Sequence, residues 1–302
     1  MHFHFCLATM PPVFRESVQD TVLLMAAGLE DCGHTVTIDD ARAIFGGNVV
    51  NLVIEHFEGD AAASLVATKR AKGNDFPLGL IFTENLSDRN VMAGEFAWRT
   101  ESFRQVADVS DFIWYFIPGT ERHTAIIDPA KCSRFAVGYS PRFAQVALQP
   151  VRDIDFFLPG LAYPRRKPIL ERLHALGYHV RVSDLTTPAY IYRSLMGRAK
   201  AILDIRRFDD TTNMSTVRVA NGATNGIAVI AERFDRSDLG ELYAYTATAD
   251  YDGFVDRCVQ LVEREDPIAV GRAHGERFAR ERPLRPMVAK LLETPRLDPW
   301  KI

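Results

Sequence analysis

Residues 200 to 232 read, in order, as an apolar strand, a polar loop, a helix, a glycine and a second apolar strand. Ala201 to Ile205 is a run of strand length, the Thr/Asn cluster at 211 to 213 gives a helix N-cap signal, and Gly226 stops the helix before the apolar run Ile227 to Ala231. A helix inserted between two strands is the crossover that parallel pairing requires, so this stretch commits the chain to an α/β sheet. Ligands of such sheets sit at the carboxyl ends of the strands, which makes the loop from Arg206 to Asn213 and the start of the next helix the natural ligand floor. A helix N-terminus there offers unpaired N–H groups and a positive dipole end, which suits a phosphate.

The remaining sequence repeats this alternation. Phe3 to Ala8, His34 to Ile38, Val49 to Phe57, Phe76 to Phe82 and Phe112 to Ile117 are strand-like. Between them lie helical stretches at Phe14 to Asp31, Asp60 to Lys72 and Gly94 to Val106. From Ala125 to Val151 the pattern loosens around Asp128-Pro129, Ser140-Pro141 and Gln149-Pro150, and a domain boundary is expected there. The alternation restarts at Asp153 to Leu158, with a helix over Pro168 to Leu176, a strand over His179 to Ser183 and a helix over Ala189 to Arg198. Both halves open with strand, Pro-containing loop, helix, a glycine stop (Gly33 or Gly177), a histidine and a second strand. The expectation is two doubly wound, Rossmann-like domains over 1–150 and 151–282, helices near Asp252 to Glu265 and Ile268 to Arg282, and a proline-bearing tail over 283–302 of a kind that can pack back on the first domain, which periodicity alone does not show.

A net charge of -3 and a pI near 6.3 argue against a nucleic-acid binder that works by bulk electrostatics. Cys6, Cys32, Cys132 and Cys258 are far apart, without metal-finger spacing, and resemble scattered cytosolic thiols. No apolar run reaches bilayer-spanning length and the N-terminus lacks a secretory pattern, so the expected location is the cytoplasm; peripheral membrane contact through one helix or basic patch stays open. The absence of P-loop, GxGxxG, GxSxG and HExxH patterns argues against Walker ATPases, typical dinucleotide dehydrogenases, serine hydrolases and zinc proteases. His2 and His4 share one face of a strand but lack a third ligand, so no metal site is expected. Asp209-Asp210 follows Arg206-Arg207 and reads as local ion pairing.

Three segments carry a resemblance: DFFLPGLAYPRRKPILERLHALGYHV at 155–180, KAILDIRR at 200–207 and VANGATNGIAVIAERFD at 219–235. Together they resemble the carboxyl-terminal domain of GT-B glycosyltransferases, most closely the group 1, CgeB-like branch, over roughly 150 to 282. The resemblance implies two Rossmann-like domains facing across a cleft, a nucleotide-diphosphate sugar as donor substrate bound mainly by the second domain, a glycan, lipid or protein acceptor, and transfer without a required metal or other cofactor. Tyr163, Arg165, Arg166 and Lys167 lie between a strand and a helix, where cationic groups can pair with a diphosphate leaving group; Arg218 serves either that phosphate or the helix surface.

Many family members carry two glutamates eight positions apart around this helix. Aligning Gly226 on the family glycine puts Asn213 and Asn221 at those positions. Asparagine hydrogen-bonds hydroxyls but offers no carboxylate, so two further readings stand beside transfer: a catalytically silent module that binds a sugar nucleotide or a partner protein, and a nucleotide-sugar epimerase. Inverting transfer needs a base. Glu84, after the fourth strand, is the first choice; Asp88 and Glu95 are alternatives, and His56 reads as structural. Trp98 is a candidate lining residue for an acceptor groove, whereas Trp114, Tyr115 and Phe116 read as core.

Overall fold

The computed structural model describes residues 1–39, 42–46, 49–83, 97–118, 127–209, 214–234, 240–294 and 297, with the backbone alone for 97–99. Two compact units emerge, each built on one parallel sheet with helices. This is the α/β architecture that the strand-helix alternation predicts.

The first unit comprises Met1–Arg15, Met25–Ala136 and Leu284–Ile302. Its strands are β1 (His2–Cys6), β2 (Thr35–Asp39), β3 (Val49–Ile54), β4 (Leu78–Phe82), β5 (Phe112–Tyr115) and β6 (Cys132–Arg134), ordered β2-β1-β3-β4-β5-β6 and all parallel. β4 and β5 are buried along their whole length, as strands covered on both faces should be. Trp114 anchors one side of the core, with Phe112, Phe3 and Phe135 at ring distances of 4.8, 6.0 and 6.1 Å. The expected helix over 14–31 is broken into α1 (Pro12–Arg15) and α2 (Gln19–Asp31), and α2 ends before Gly33 at φ 84°. α3 (Ala61–Lys72) carries Lys69, Arg70 and Lys72 in its last turn, where the helix dipole favours cations. Lys69 is nonetheless buried, and its ammonium is satisfied by the carbonyls of Gly73 and Phe76 and by Asp111 at 2.7 Å. α4 (Ala97–Val109) precedes β5.

The second unit comprises Glu16–Leu24 and Val137–Pro283. Its strands are β7 (Ile154–Leu158), β8 (Val180–Val182), β9 (Ala199–Asp204), β10 (Ala228–Glu232) and β11 (Ala247–Ala249), ordered β11-β10-β9-β7-β8, again parallel. Its helices are α5 (Lys167–Ala175), α6 (Ala189–Arg198), α7 (Thr216–Thr224), α8 (Phe254–Glu263) and α9 (Pro267–Glu281). Strand order reverses at β7, which has β8 on one side and β9 on the other, so the crevice at the carboxyl ends of β7 and β9 is a topological switch point.

The units are not the contiguous stretches 1–150 and 151–282. Residues 137–150 belong with the second unit because their backbone is bonded there: Tyr139 N–H donates to the Arg282 carbonyl (2.7 Å), Val146 N–H to Asn225 Oδ1 (2.9 Å), and Gln149 N–H to the Gly197 carbonyl (2.9 Å). The tail contains α10 (Leu284–Leu292), which packs in the first unit against Gly28 of α2. A Cβ at Gly28 would stand 2.8 Å from Val288 and 3.0 Å from Leu284.

Candidate anion-binding site

Four segments of the second unit converge at the switch point. β7 runs into Pro159 and Gly160; Gly160 adopts φ 111° and its N–H donates to Ser183 Oγ at 2.9 Å. A Cβ there would sit in ordinary contact with Arg218 Nη2 (3.6 Å) and Arg166 Nη1 (3.8 Å), so two guanidiniums flank a position whose positive φ favours glycine. β9 ends on Asp204 and continues into Arg206, Arg207 and Phe208; β10 ends on Glu232. Ser215 is the N-cap of α7 and its N–H donates to Asp204 Oδ2 (3.1 Å); the Thr/Asn cluster at 211–213 lies outside the described residues. A buried carboxylate from the preceding strand, not a local side chain, receives that N–H.

The arginines divide by partner. Arg165 grips Glu232 with both terminal nitrogens (2.6 Å each) and gives its Nε to Asp209 (2.6 Å), with the Tyr251 ring 4.1 Å beneath. Arg206 reaches the same Glu232 through Nε (2.8 Å) and its backbone N–H (3.0 Å). Burial raises the pKa of Glu232, but the hydrogen bonds from Arg165 and Arg206 outweigh it, and the carboxyl ends below its ordinary value. Arg218 bonds Asp204 and the Pro159 carbonyl.

Arg166 differs. It is 7 % exposed and, among the described residues, donates to the carbonyls of Ile205 and Leu161, both at 2.8 Å. Burial, and next the charge of Arg218, press its pKa down to about 9, so it stays cationic at neutral pH in an environment that disfavours the charge. Arg207 lies over Tyr163 (5.3 Å) and Phe208 (5.9 Å), and Lys167 is exposed at the start of α5. Five guanidiniums and Lys167 thus stand against Asp204, Asp209 and Glu232 among the described residues. The excess is positive, in a half-buried crevice where anion pairing is strong.

Of the residues singled out in the sequence, Tyr163, Arg165, Arg166, Lys167 and Arg218 come together here. Arg165 and Arg206 are engaged by Glu232 and Arg218 by Asp204, which leaves Arg166, Arg207 and Lys167 without a bonded carboxylate among the described residues. Asn221 is not at this floor: it lies in the second half of α7, 4 % exposed, and its Nδ2 donates to Asp20 Oδ2 at 2.6 Å while its Oδ1 accepts from Asn225 (2.7 Å). A sugar hydroxyl would have to displace these bonds. Glu84, Asp88, Glu95, Asp210 and Asn213, like the Trp98 side chain, lie outside the described residues.

His2 and His4 both hydrogen-bond Thr37 Oγ1 at 2.8 Å, and His4 also meets the Arg42 carbonyl (2.8 Å). Among the described residues no group of three His, Cys, Asp or Glu side chains is placed to hold a metal. His56 is buried, stacked on Phe14 at 5.1 Å. Sequence reasoning missed Glu232, Asp204 and Asp20. For the first two a signal existed, since each is an acid closing an apolar strand; Asp20 had none.

No protein-family model and no curated protein matches this chain. Solved structures similar to it include TarM (9 % identity, TM-score 0.49, 81 % of this chain and 54 % of that one). Others are the glycosylation-associated Gap123 complex from Streptococcus agalactiae (9 %, 0.47, 82 % and 55 %) and the E. coli trehalose-6-phosphate protein bound with UDP-2-fluoro glucose (11 %, 0.47, 84 % and 73 %). The chain spans about half the length of the first two. No helix of the described residues is long and apolar enough to cross a membrane.

Proposed function

We propose that the second unit binds the diphosphate of a nucleotide sugar and that the chain is a cytoplasmic GT-B glycosyltransferase of the group 1 type, moving the sugar to a glycan, lipid or protein acceptor without a metal. The observation that carries this reading is Arg166, buried beside Arg218 at the β7–β9 switch point and held by carbonyl oxygens rather than a carboxylate. Among the described residues such a guanidinium has no carboxylate bonded to it, although the Asp204 charge offsets part of its desolvation; a phosphate would supply a bonded anion, and the charge that develops on the leaving diphosphate is largest when the sugar departs. Gly160 stands between the two guanidiniums, and the start of α7 adds backbone N–H groups. These groups take the part that a divalent cation plays elsewhere.

Asn221 favours a second reading. Tied to Asp20 and Asn225, it supplies neither a carboxylate nor a free amide to the donor, which is compatible with a module that binds the nucleotide and does not turn it over. Thermal unfolding with UDP, GDP, dTDP and CMP tests the shared claim: a ligand at a hundred times its dissociation constant adds about 2.7 kcal/mol. Stabilisation that disappears in Arg166→Ala supports the site. No stabilisation by any of the four refutes it. Release of UDP from UDP-glucose then separates the enzyme from the silent module.

A further inference from the structure

Asp20 belongs to the second unit although it sits in the first turn of α2. Its Oδ2 accepts two hydrogen bonds, from the Tyr192 phenol at 2.8 Å and from Asn221 Nδ2 at 2.6 Å. Oδ1 has no hydrogen-bond partner among the described residues, and the side chain is only half-buried. One oxygen is therefore fixed and the other is available. Asn221 is three residues on from Arg218 along α7, about 4.5 Å of helix rise, and the Arg218 charge acts on Asp20. Asn225 buttresses Asn221 through Oδ1 (2.7 Å), and Val146 N–H in turn holds Asn225 (2.9 Å).

Among the described residues the charged and titratable groups acting on Asp20 are Tyr192 and Arg193 on α6 and Arg218 on α7. Burial raises the Asp20 pKa above the ordinary carboxylate value; the hydrogen bonds from Tyr192 and Asn221, then the charges of Arg193 and Arg218, draw it part of the way back. A carboxylate pinned at one oxygen, available at the other and made more basic by its surroundings has the attributes of a general base.

We propose that Asp20 accepts the proton of the hydroxyl that attacks the donor sugar, with Tyr192 and Asn221 as its positioning residues. This rests on the diphosphate reading above. As the acceptor oxygen bonds to the anomeric carbon, its proton passes to Asp20 Oδ1. The bond from that carbon to the diphosphate oxygen breaks, its electron pair leaves with the nucleoside diphosphate, and the proton is later lost to solvent. Configuration at the sugar inverts, and water can stand in for the acceptor.

The test is hydrolysis of UDP-glucose, GDP-mannose and dTDP-glucose by the full chain, with UDP, GDP and dTDP binding measured separately. Asp20→Asn keeps the acceptor oxygen for Tyr192 and Asn221, so it should leave nucleotide affinity within about twofold while kcat falls about a hundredfold or more. Tyr192→Phe removes a bond that lowers the Asp20 pKa, so the ascending limb of the pH–rate profile should move to higher pH with the KM for donor little changed. A merely structural network would lower the melting temperature of both variants and leave kcat and the pH limb where they were; that result overturns the proposal. Nucleotide binding by the unaltered chain with no hydrolysis of any donor overturns it as well, while sparing the diphosphate site. Absence of nucleotide binding overturns both.

Discussion

Glu232 offers the sharpest test of the electrostatic account. Its carboxylate is 1 % exposed and receives the paired nitrogens of Arg165 at 2.6 Å together with the side chain and backbone N–H of Arg206 at 2.8 and 3.0 Å. Glu232→Gln removes the charge and retains one acceptor oxygen, so two guanidiniums lose their shared counter-ion inside the protein. Breaking a buried pair by removing one partner costs roughly 3–5 kcal/mol, and the remaining oxygen places this case at about 3. At about 2–4 °C per kcal/mol for a domain of this size, the unfolding midpoint at pH 7 should fall by roughly 6–12 °C.

The pH dependence has a definite sign. The folded-state pKa of Glu232 is depressed, so its stabilisation is complete above the ordinary carboxylate range, about 4.3, and fades as pH falls through the folded value. Calorimetry from about pH 7 to pH 3 should show the two proteins converging in acid. The exposed Arg104–Glu101 pair, with side chains 49 % and 51 % accessible, is the control: Glu101→Gln should leave the midpoint unchanged. A Glu232→Gln protein that melts within a degree of the parent at neutral pH, or keeps a constant deficit down to pH 3, refutes the reasoning.

Gly271 of α9 should resist a substitution that helix propensity favours. Alanine gains about 1 kcal/mol in a helix interior, but its Cβ would stand 2.5 Å from the Ala228 nitrogen and 2.6 Å from the Gly226 oxygen, and backbone cannot yield as a side chain can; chemical denaturation should therefore show Gly271→Ala less stable than the parent. Lys167→Ala should weaken UDP binding about tenfold at low salt, with the deficit shrinking as ionic strength rises, because the exposed ammonium acts as a screened point charge. Cys6 and Cys258 are buried, and burial lifts both thiols above the ordinary range, so a thiol reagent at pH 8 should leave them unmodified until the chain unfolds; native labelling of either contradicts the packing.

The strands and their glycine stops were legible because they are local. Gly33, Gly177 and Gly226 all adopt positive φ where a helix ends, and apolar runs flanked by such breaks locate β1, β4, β7, β9 and β10 to within a few residues. The three-residue strands β6 and β11 escaped notice, whereas the equally short β8 was found because the Gly177 stop precedes it. The basic turn at 163–167 was legible as chemistry, yet the division of labour within it was not. Arg165 and Arg166 are adjacent and alike in sequence, and only the positions of Glu232, 67 residues on, and of the Ile205 carbonyl decide that one is spent on a carboxylate and the other is not. Asp20 lies 201 residues before Asn221, and nothing in QDTVLL announces that it is an acid turned toward another part of the chain.

The way the two units share the chain bears on how the protein is made. Residues 16–24 emerge from the ribosome early yet pack with 137–283, and 284–302 emerge after that second unit yet pack with 1–15 and 25–136. At roughly 5–20 residues per second, the first sheet waits about 7–30 s after residue 136 for the helix that covers Gly28. A nascent chain halted anywhere before residue 284 therefore exposes the Gly28 face of α2 to whatever chaperone meets it, and no cut through the polypeptide yields either half intact.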